Sequence, residues 1–393
     1  MNSTEASLGQ ALPAEARRGG VALTAAAFDD WTSVEARWER LTAHADALPF
    51  QRTAWLRAWY RHCAGPDITP LIVILQEALT GTDVLGLGLV RLREGGRHVI
   101  AFADCGLTDY NAPALGRRFP DGLDPNELWA ALRQALPRAD LLRFEKMPLT
   151  VDSRANPLAT LPGASPSKFI GNILHVPGTW DEWHWGLERT FRKELERSAR
   201  VFEKHPGATF RRYAAGHEAE RVYAELERLQ RERIAELGLP YALDAEPARS
   251  FYRAIVTEGL RDGTAILTAL TIGDEVVAAL LGLTDGTHYA MTRLATPGPQ
   301  WKNFSPGRMV IERTMKMLHA EGFRAFDFTI GDYSYKRRIG VTPLAMCELH
   351  QALSMRGWAS ATSTRWRAWA RQNDRLRRLV QSVRGTKPET VSH

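Results

Sequence analysis

Two short stretches in the second half of the chain gather residue types that can do chemistry. Gly331-Asp-Tyr-Ser-Tyr-Lys336 sets a carboxylate, two phenols and an ammonium side by side, and Lys302-Asn-Phe-Ser-Pro-Gly-Arg308 sets two cations around a Ser-Pro-Gly. Group transfer needs a base that takes a proton, an acid that returns one and a donor that steadies developing negative charge. Asp332 suits the base, Tyr335 the acid, and Lys336 the oxyanion or an anionic substrate. In the earlier stretch Ser305 suits a helix N-cap, Pro306 the first helical position, and Gly307 a close approach of ligand to backbone. The open amides of such a helix start attract a phosphate, and Lys302, Asn303 and Arg308 flank them. The competing reading of both stretches is plain: a strand that ends in a solvated basic loop, and an ordinary helix cap.

These residues need a scaffold, and the hydrophobic pattern supplies one. Phe326, Phe328 and Ile330 alternate with Asp327 and Thr329, which predicts a strand over 323–330 broken by Gly331. Before it come strands over 265–272, 276–284 and 288–294, with turns at Gly273-Asp-Glu and Asp285-Gly286, then a helix over 305–321 ended by Gly322. Simple alternation along the third strand puts Tyr289, Met291 and Arg293 on one face, so Tyr289 and Arg293 are expected to point together at substrate.

The first half carries a similar series. Helices are expected over 33–47 and 49–60, strands over 68–76, 84–92 and 98–103, a helix over 125–136 capped by Asp124, and a strand over 140–146. A polar loop from Asp104 to Pro113 offers Asp109, Tyr110 and Asn111 to an acceptor across the junction of the halves; a simple surface loop is the competing reading. The stretch 156–167, rich in Pro, Ala and Ser, reads as the boundary. Beyond it come a strand over 169–176, one long charged helix over 180–205, a strand over 208–213, helices over 217–237 and 245–262, and a last strand over 345–352. Glu188, Glu194, Glu196 and Glu203 interleave with cations along the long helix, which predicts a solvated helix with internal ion pairs rather than a nucleic-acid arm.

At 393 residues, 44% of them hydrophobic, the chain can bury a substantial core. Its apolar runs fall short of the roughly 18 residues a membrane span needs, and its first twenty residues lack the order of a secretory signal. Cys63, Cys105 and Cys347 are few, odd in number and dispersed, which fits a reducing cytoplasm and no disulfide framework. Cys and His show no zinc-ligand spacing, so no metal is expected. The net charge of +6 resides in the C-terminal segment 361–388, where eight cations face only Asp374. The remainder is nearly neutral and does not read as a nucleic-acid binder. The tail, with Trp358, Trp366 and Trp369 among its arginines, is expected to rest on an anionic membrane surface or an acidic partner.

Taken in order, Lys302-Asn-Phe-Ser-Pro-Gly307 and then Phe326-Asp-Phe-Thr-Ile-Gly-Asp-Tyr-Ser-Tyr-Lys336 resemble the GNAT acyltransferases of the CelD/BcsL-like group, associated with cellulose biosynthesis and distantly similar to the FemAB peptidyltransferases. The 104–113 loop and the 50–60 helix look like that group too, so the resemblance spans roughly residues 22 to 353. It implies an α+β fold of two GNAT-like units in tandem: a tail over 1–20, units over 21–160 and 161–355, and a basic helical tail over 356–393. It also implies acyl transfer from coenzyme A, as co-substrate rather than resident cofactor, to an amine or hydroxyl of a small molecule or an envelope or polysaccharide precursor. The group's pyrophosphate signature survives only in degenerate form, as Asn303 to Arg308. A FemAB-like aminoacyl-tRNA-dependent transferase and a non-catalytic scaffold of a polysaccharide-synthesis complex are the alternative expectations.

Overall fold

The computed structural model describes residues 22–238, 241–331 and 334–358. The expected N-terminal tail and almost all of the basic C-terminal tail lie outside them.

The chain begins with β1 (Leu23–Phe28), α1 (Trp31–Thr42) and α2 (Thr53–Cys63). Asp30 starts α1 by accepting the Ser33 amide at 2.9 Å. β2 (Ile68–Glu77), β3 (Asp83–Glu94) and β4 (Arg97–Phe102) form an antiparallel meander, against which the short β5 (Ala114–Leu115) pairs with β3. α3 (Pro125–Ala135), capped by Asp124, leads to β6 (Leu141–Pro148), which runs parallel to β4. A small hairpin of β7 (Thr150–Val151) and β8 (Arg154–Ala155) precedes β9 (Ala164–His175), α4 (Trp180–Gly186) and α5 (Arg189–Glu203).

The series then repeats. β10 (Ala208–Tyr213), α6 (His217–Glu236) and α7 (Ala248–Asp262) lead into the meander β11 (Ala265–Ile272), β12 (Glu275–Thr284) and β13 (His288–Ala295). α8 (Pro306–Ala320) returns the chain to β14 (Ala325–Asp327), parallel to β13, followed by α9 (Ser334–Ile339) and β15 (Thr342–Ala352). The architecture is the expected α+β tandem.

The junction joins the halves into a single 13-stranded sheet. β9 passes β6 and pairs with β14, whereas β15 passes β14 and pairs with β6. β9 and β15 also pair with each other. One core cluster contains residues of α1, α2, α3, α6 and α7; a second, opposite it on the second half, contains residues of α4, α5 and α8. Across the junction α2 meets α7, where Trp55 sets its edge against Phe251 at a 4.7 Å centroid separation and donates its indole N–H to Thr108.

Some local expectations change. The predicted long helix is two, because Leu187 and Glu188 adopt extended backbone between α4 and α5, while Thr179 and Glu182 form a capping box that starts α4. The charges of α5 mostly look outward: Glu194 binds Arg308 and Arg338, and Glu203 binds Arg313. β1 and α9 are additions to the expected elements, the first in a stretch with no assigned element and the second where a loop was expected. β14 stops at Asp327 rather than reaching 330.

Trp55→Ala removes a fully buried side chain at the junction, and the expected loss is about 3–5 kcal/mol. Urea unfolding followed by circular dichroism measures it; an unchanged midpoint would deny the junction a role in stability.

Candidate active site

The pairing of β13 and β14 ends at Ala290 and Asp327. Immediately afterwards the Asp327 carboxylate accepts the Thr329 amide at 2.6 Å, and Thr329 takes a left-handed backbone with φ 53°. Its hydroxyl donates to the Met291 carbonyl at 3.2 Å in place of a ladder bond. β13 continues to Ala295, so the two strands part. At the far side of the parting lies a cleft of about 550 Å³ bounded by Leu294, Thr296, Ser305, Gly307, Arg308 and Tyr335. Thus the Ser-Pro-Gly-Arg stretch and Tyr335 come together. Thr296 and Leu294, which sequence reasoning passed over, were signalled only by their place at the end of the third strand. Arg233 and Glu236, from the end of α6, carried no such signal.

The start of α8 differs from a simple cap. Ser305 holds the N-cap position with φ 48° and ψ 63°, and its side chain makes no capping bond; its hydroxyl accepts from Arg308 at 2.6 Å. Pro306 has no N–H, so Gly307 and Arg308 carry the first amides at the positive end of the helix. A Cβ on Gly307 would stand 2.9 Å from Thr296 Cγ2, so packing against the end of β13 also requires a small residue there. Arg308 donates to Glu194 at 2.9 Å, and Arg338 grips the same carboxylate with two bonds at 3.0 Å. Hydrogen bonding, from Arg338 above all, holds Glu194 below the usual carboxylate range. The two guanidiniums share that carboxylate, and Arg338 also lies 3.9 Å from Glu188. Asn303 is exposed. Asp332 and the side chain of Lys302 lie outside what the structure describes.

Lys336 is turned away from solvent, 2% exposed, with its ammonium donating to the carbonyls of Phe328 at 2.7 Å and Gly331 at 3.1 Å, and more weakly to Ile330 and Thr329. Asn172 on β9 donates to the carbonyls of Thr329 and Gly331, each at 2.9 Å. The loop that leads to Asp332 is therefore folded inward around one buried ammonium.

Tyr289 and Arg293 do not share a face. A β-bulge at Thr292 sets Met291 opposite Gly282 and Arg293 opposite Leu281, which reverses the alternation. Tyr289 packs into the core beneath α8, whereas Arg293, 2% exposed, points at α6 and α7. There it bonds Gln230, Tyr223 and Tyr241 and lies 4.8 Å above the Tyr252 ring. The expectation that the pair faces substrate together is overturned.

The 104–113 loop does reach the second half. Tyr110 is buried and donates its hydroxyl to Asp327 at 2.7 Å, closely packed on Gly171 of β9. Asn111 is absorbed locally by Asp104 and the Glu145 carbonyl. Asp109 lies by Thr329; burial raises its carboxyl to about 6, against the opposing pull of Thr329 and Lys146. His288 stands 3.6 Å from Asp327 on the other side, too far for a strong hydrogen bond. Burial draws its pKa down, but Asp327, Asp285 and Asp152 outweigh that and raise it.

Lys336→Met leaves the loop carbonyls without their donor and is expected to cost about 2–4 kcal/mol, since bonds to a charged donor contribute about 1.5–3 kcal/mol each; thermal melting reads the loss. Because the folded-state pKa of Asp109 is raised, the folded protein favours its protonated form, and this group's penalty is full above about pH 6 and relieved as pH falls toward 4. Asp109→Asn should therefore stabilise more at pH 8 than at pH 4.5, and a melting difference independent of pH contradicts the shift.

Residues 189–337, from α5 into α9, match the family described as acetyltransferase (GNAT) domain. FemX superposes with a TM-score of 0.58 at 12% identity, covering 81% of this chain and 96% of its own. L-PGS from Bacillus licheniformis gives 0.48 at 14% identity, over 81% and 91% of the two chains. A tandem GNAT protein from the clavulanic acid biosynthesis pathway gives 0.44 at 14% identity, over 84% and 99%. No curated protein sequence matches the chain. The segment that builds the cleft thus carries a GNAT-type acetyltransferase match, set in a fold shared with FemX.

Proposed function

We propose that the protein transfers an acyl group, acetyl in the simplest case, from coenzyme A to an amine or hydroxyl. The observation that carries this reading is the cleft itself, in which the open start of α8, Arg308 and Tyr335 meet at the end of β13. The helix start and Arg308 suit the pyrophosphate of the donor, with Lys302 and Asn303 as further candidates from the sequence. In this reading Tyr335, which lines the cleft, returns a proton to the leaving thiolate. Asp332 is the proposed base that takes the proton from the acceptor. The acceptor enters, in this reading, from the junction side, where Asp109 and Tyr110 reach the same loop from the first half. Lys336 contributes by positioning, since its ammonium is consumed by loop carbonyls. Tyr289 and Arg293 support the two core layers rather than the acceptor.

The resemblance to the CelD/BcsL-like group supports an envelope or polysaccharide precursor as acceptor and a place of action in the cytoplasm. Among the described residues no helix is long and apolar enough to cross a membrane.

Calorimetric titration with acetyl-CoA and, separately, with aminoacyl-tRNA tests the donor. Saturable binding of acetyl-CoA is expected, weakened at least about tenfold by Arg308→Ala. Asp332→Asn should leave that binding intact while lowering turnover about 10²–10⁴-fold, the range of a lost general base. Binding of aminoacyl-tRNA alone would replace the coenzyme A reading. Intact cellular function in Asp332→Asn, lost on deletion of the C-terminal tail, would favour a scaffold.

A further inference from the structure

Away from the cleft, the junction of the halves assembles a set of donors that no sequence spacing announces. The register of β6 against β15 slips between Met147–Cys347 and Phe144–Leu349, so that Glu145 and Lys146 together oppose the single residue Glu348. Lys146 absorbs the bulge with φ 56°. The slip leaves Glu145, Glu348 and His350 on one face, with a ligand atom of each within 4.8 Å of the others.

Two of the three are deeply buried: Glu348 is 4% exposed and His350 7%. The Nε2 atom of His350 is buried without a hydrogen-bond partner, 3.5 Å from Glu145 Oε1. That separation is long for a hydrogen bond between these groups. It is close to the spacing of about 3.4 Å between two donors that each bind one tetrahedral ion at about 2.0–2.1 Å. Glu348 is oriented by Ser167 of β9, whose hydroxyl donates to Oε2 at 3.3 Å, the kind of outer support that metal-binding carboxylates use. The neighbouring guanidinium of Arg143 is engaged in a two-bond pair with Glu94 at 2.7 and 2.9 Å.

We infer that Glu145, Glu348 and His350 form a binding site for a divalent metal ion of the zinc class. Two carboxylates and one imidazole are a donor set for zinc and its borderline first-row neighbours, and their two negative charges match the ion. Glu145 also lines a cavity of about 510 Å³, which gives an ion a way in from solvent. An ion there ties β6 to β15 where the strands exchange. The inference is independent of the acyl-transfer reading.

Zinc titrated into the full-length chain against a chromophoric chelator should show one tight equivalent. His350→Gln, Glu348→Gln and Glu145→Gln should each weaken it at least about tenfold. Zinc should also raise the melting temperature of the wild type and not that of Glu145→Gln, whose altered side chain is partly exposed and leaves the fold intact. Absence of zinc binding overturns the site. So does binding that survives all three substitutions, which would assign the ion to another group such as the exposed Cys105 thiol.

Discussion

The exchange of β9 and β15 is the constraint on which the remainder of the molecule depends. Each half ends in a parallel strand, β6 or β14, whose outer edge would otherwise present unpaired amides and carbonyls. Each edge is instead covered by the strand that follows the other, and the two covering strands bond to one another. The halves therefore cannot separate without breaking ladder bonds. The polar groups between them are held in register by backbone rather than by side chains alone. Tyr110 can reach Asp327, and Asn172 the loop after it, only because β9 lies against β14.

The same arrangement shapes the cleft of the second half. There, β14 is only three residues long and the chain turns inward at Thr329, so β13 runs on alone. In the first half β6 continues to Pro148, and Lys146 fills the corresponding region by pairing with Asp104 and the Thr108 carbonyl. Lys146 and Asp104 line the cavity of about 510 Å³ that opens there, whereas the cleft of the second half is lined by the start of α8 and Tyr335. The inward turn has its own cost: a left-handed Thr329 and a run of carbonyls facing the interior. The buried ammonium of Lys336 and the amide of Asn172 offset it.

Charge in the cleft follows a similar economy of contacts. Arg308 lines it from α8, and α5 brings Glu194 both to Arg308 and to Arg338 of α9. A carboxylate between two guanidiniums keeps them ordered. The charges of α5 had been read as internal pairs because i,i+4 spacing is all that a linear chain displays. Once α5 packs beside α8 and α9, Glu194 and Glu203 find partners across the groove, while Glu196 keeps Arg192 of its own helix at 3.9 Å.

The sequence by itself determined the succession of strands and helices, its repetition in two halves, and the meeting of Ser305, Gly307 and Arg308 at a helix start. Those follow from local periodicity, caps and turns, which depend on neighbours along the chain. It also pointed to the 104–113 loop as a bridge between halves. Tertiary structure alone decided which faces and partners those residues have. The bulge at Thr292 reverses Arg293 because hydrogen bonding with β12 selects the register. Lys336 turns inward because carbonyls distant in space from solvent need a donor. Glu145 finds Glu348 and His350 across some two hundred positions of chain because β15 returns to β6. Side-chain alternation is written in the chain; register, burial and exchange are set only when strands far apart in sequence compete for the same edge.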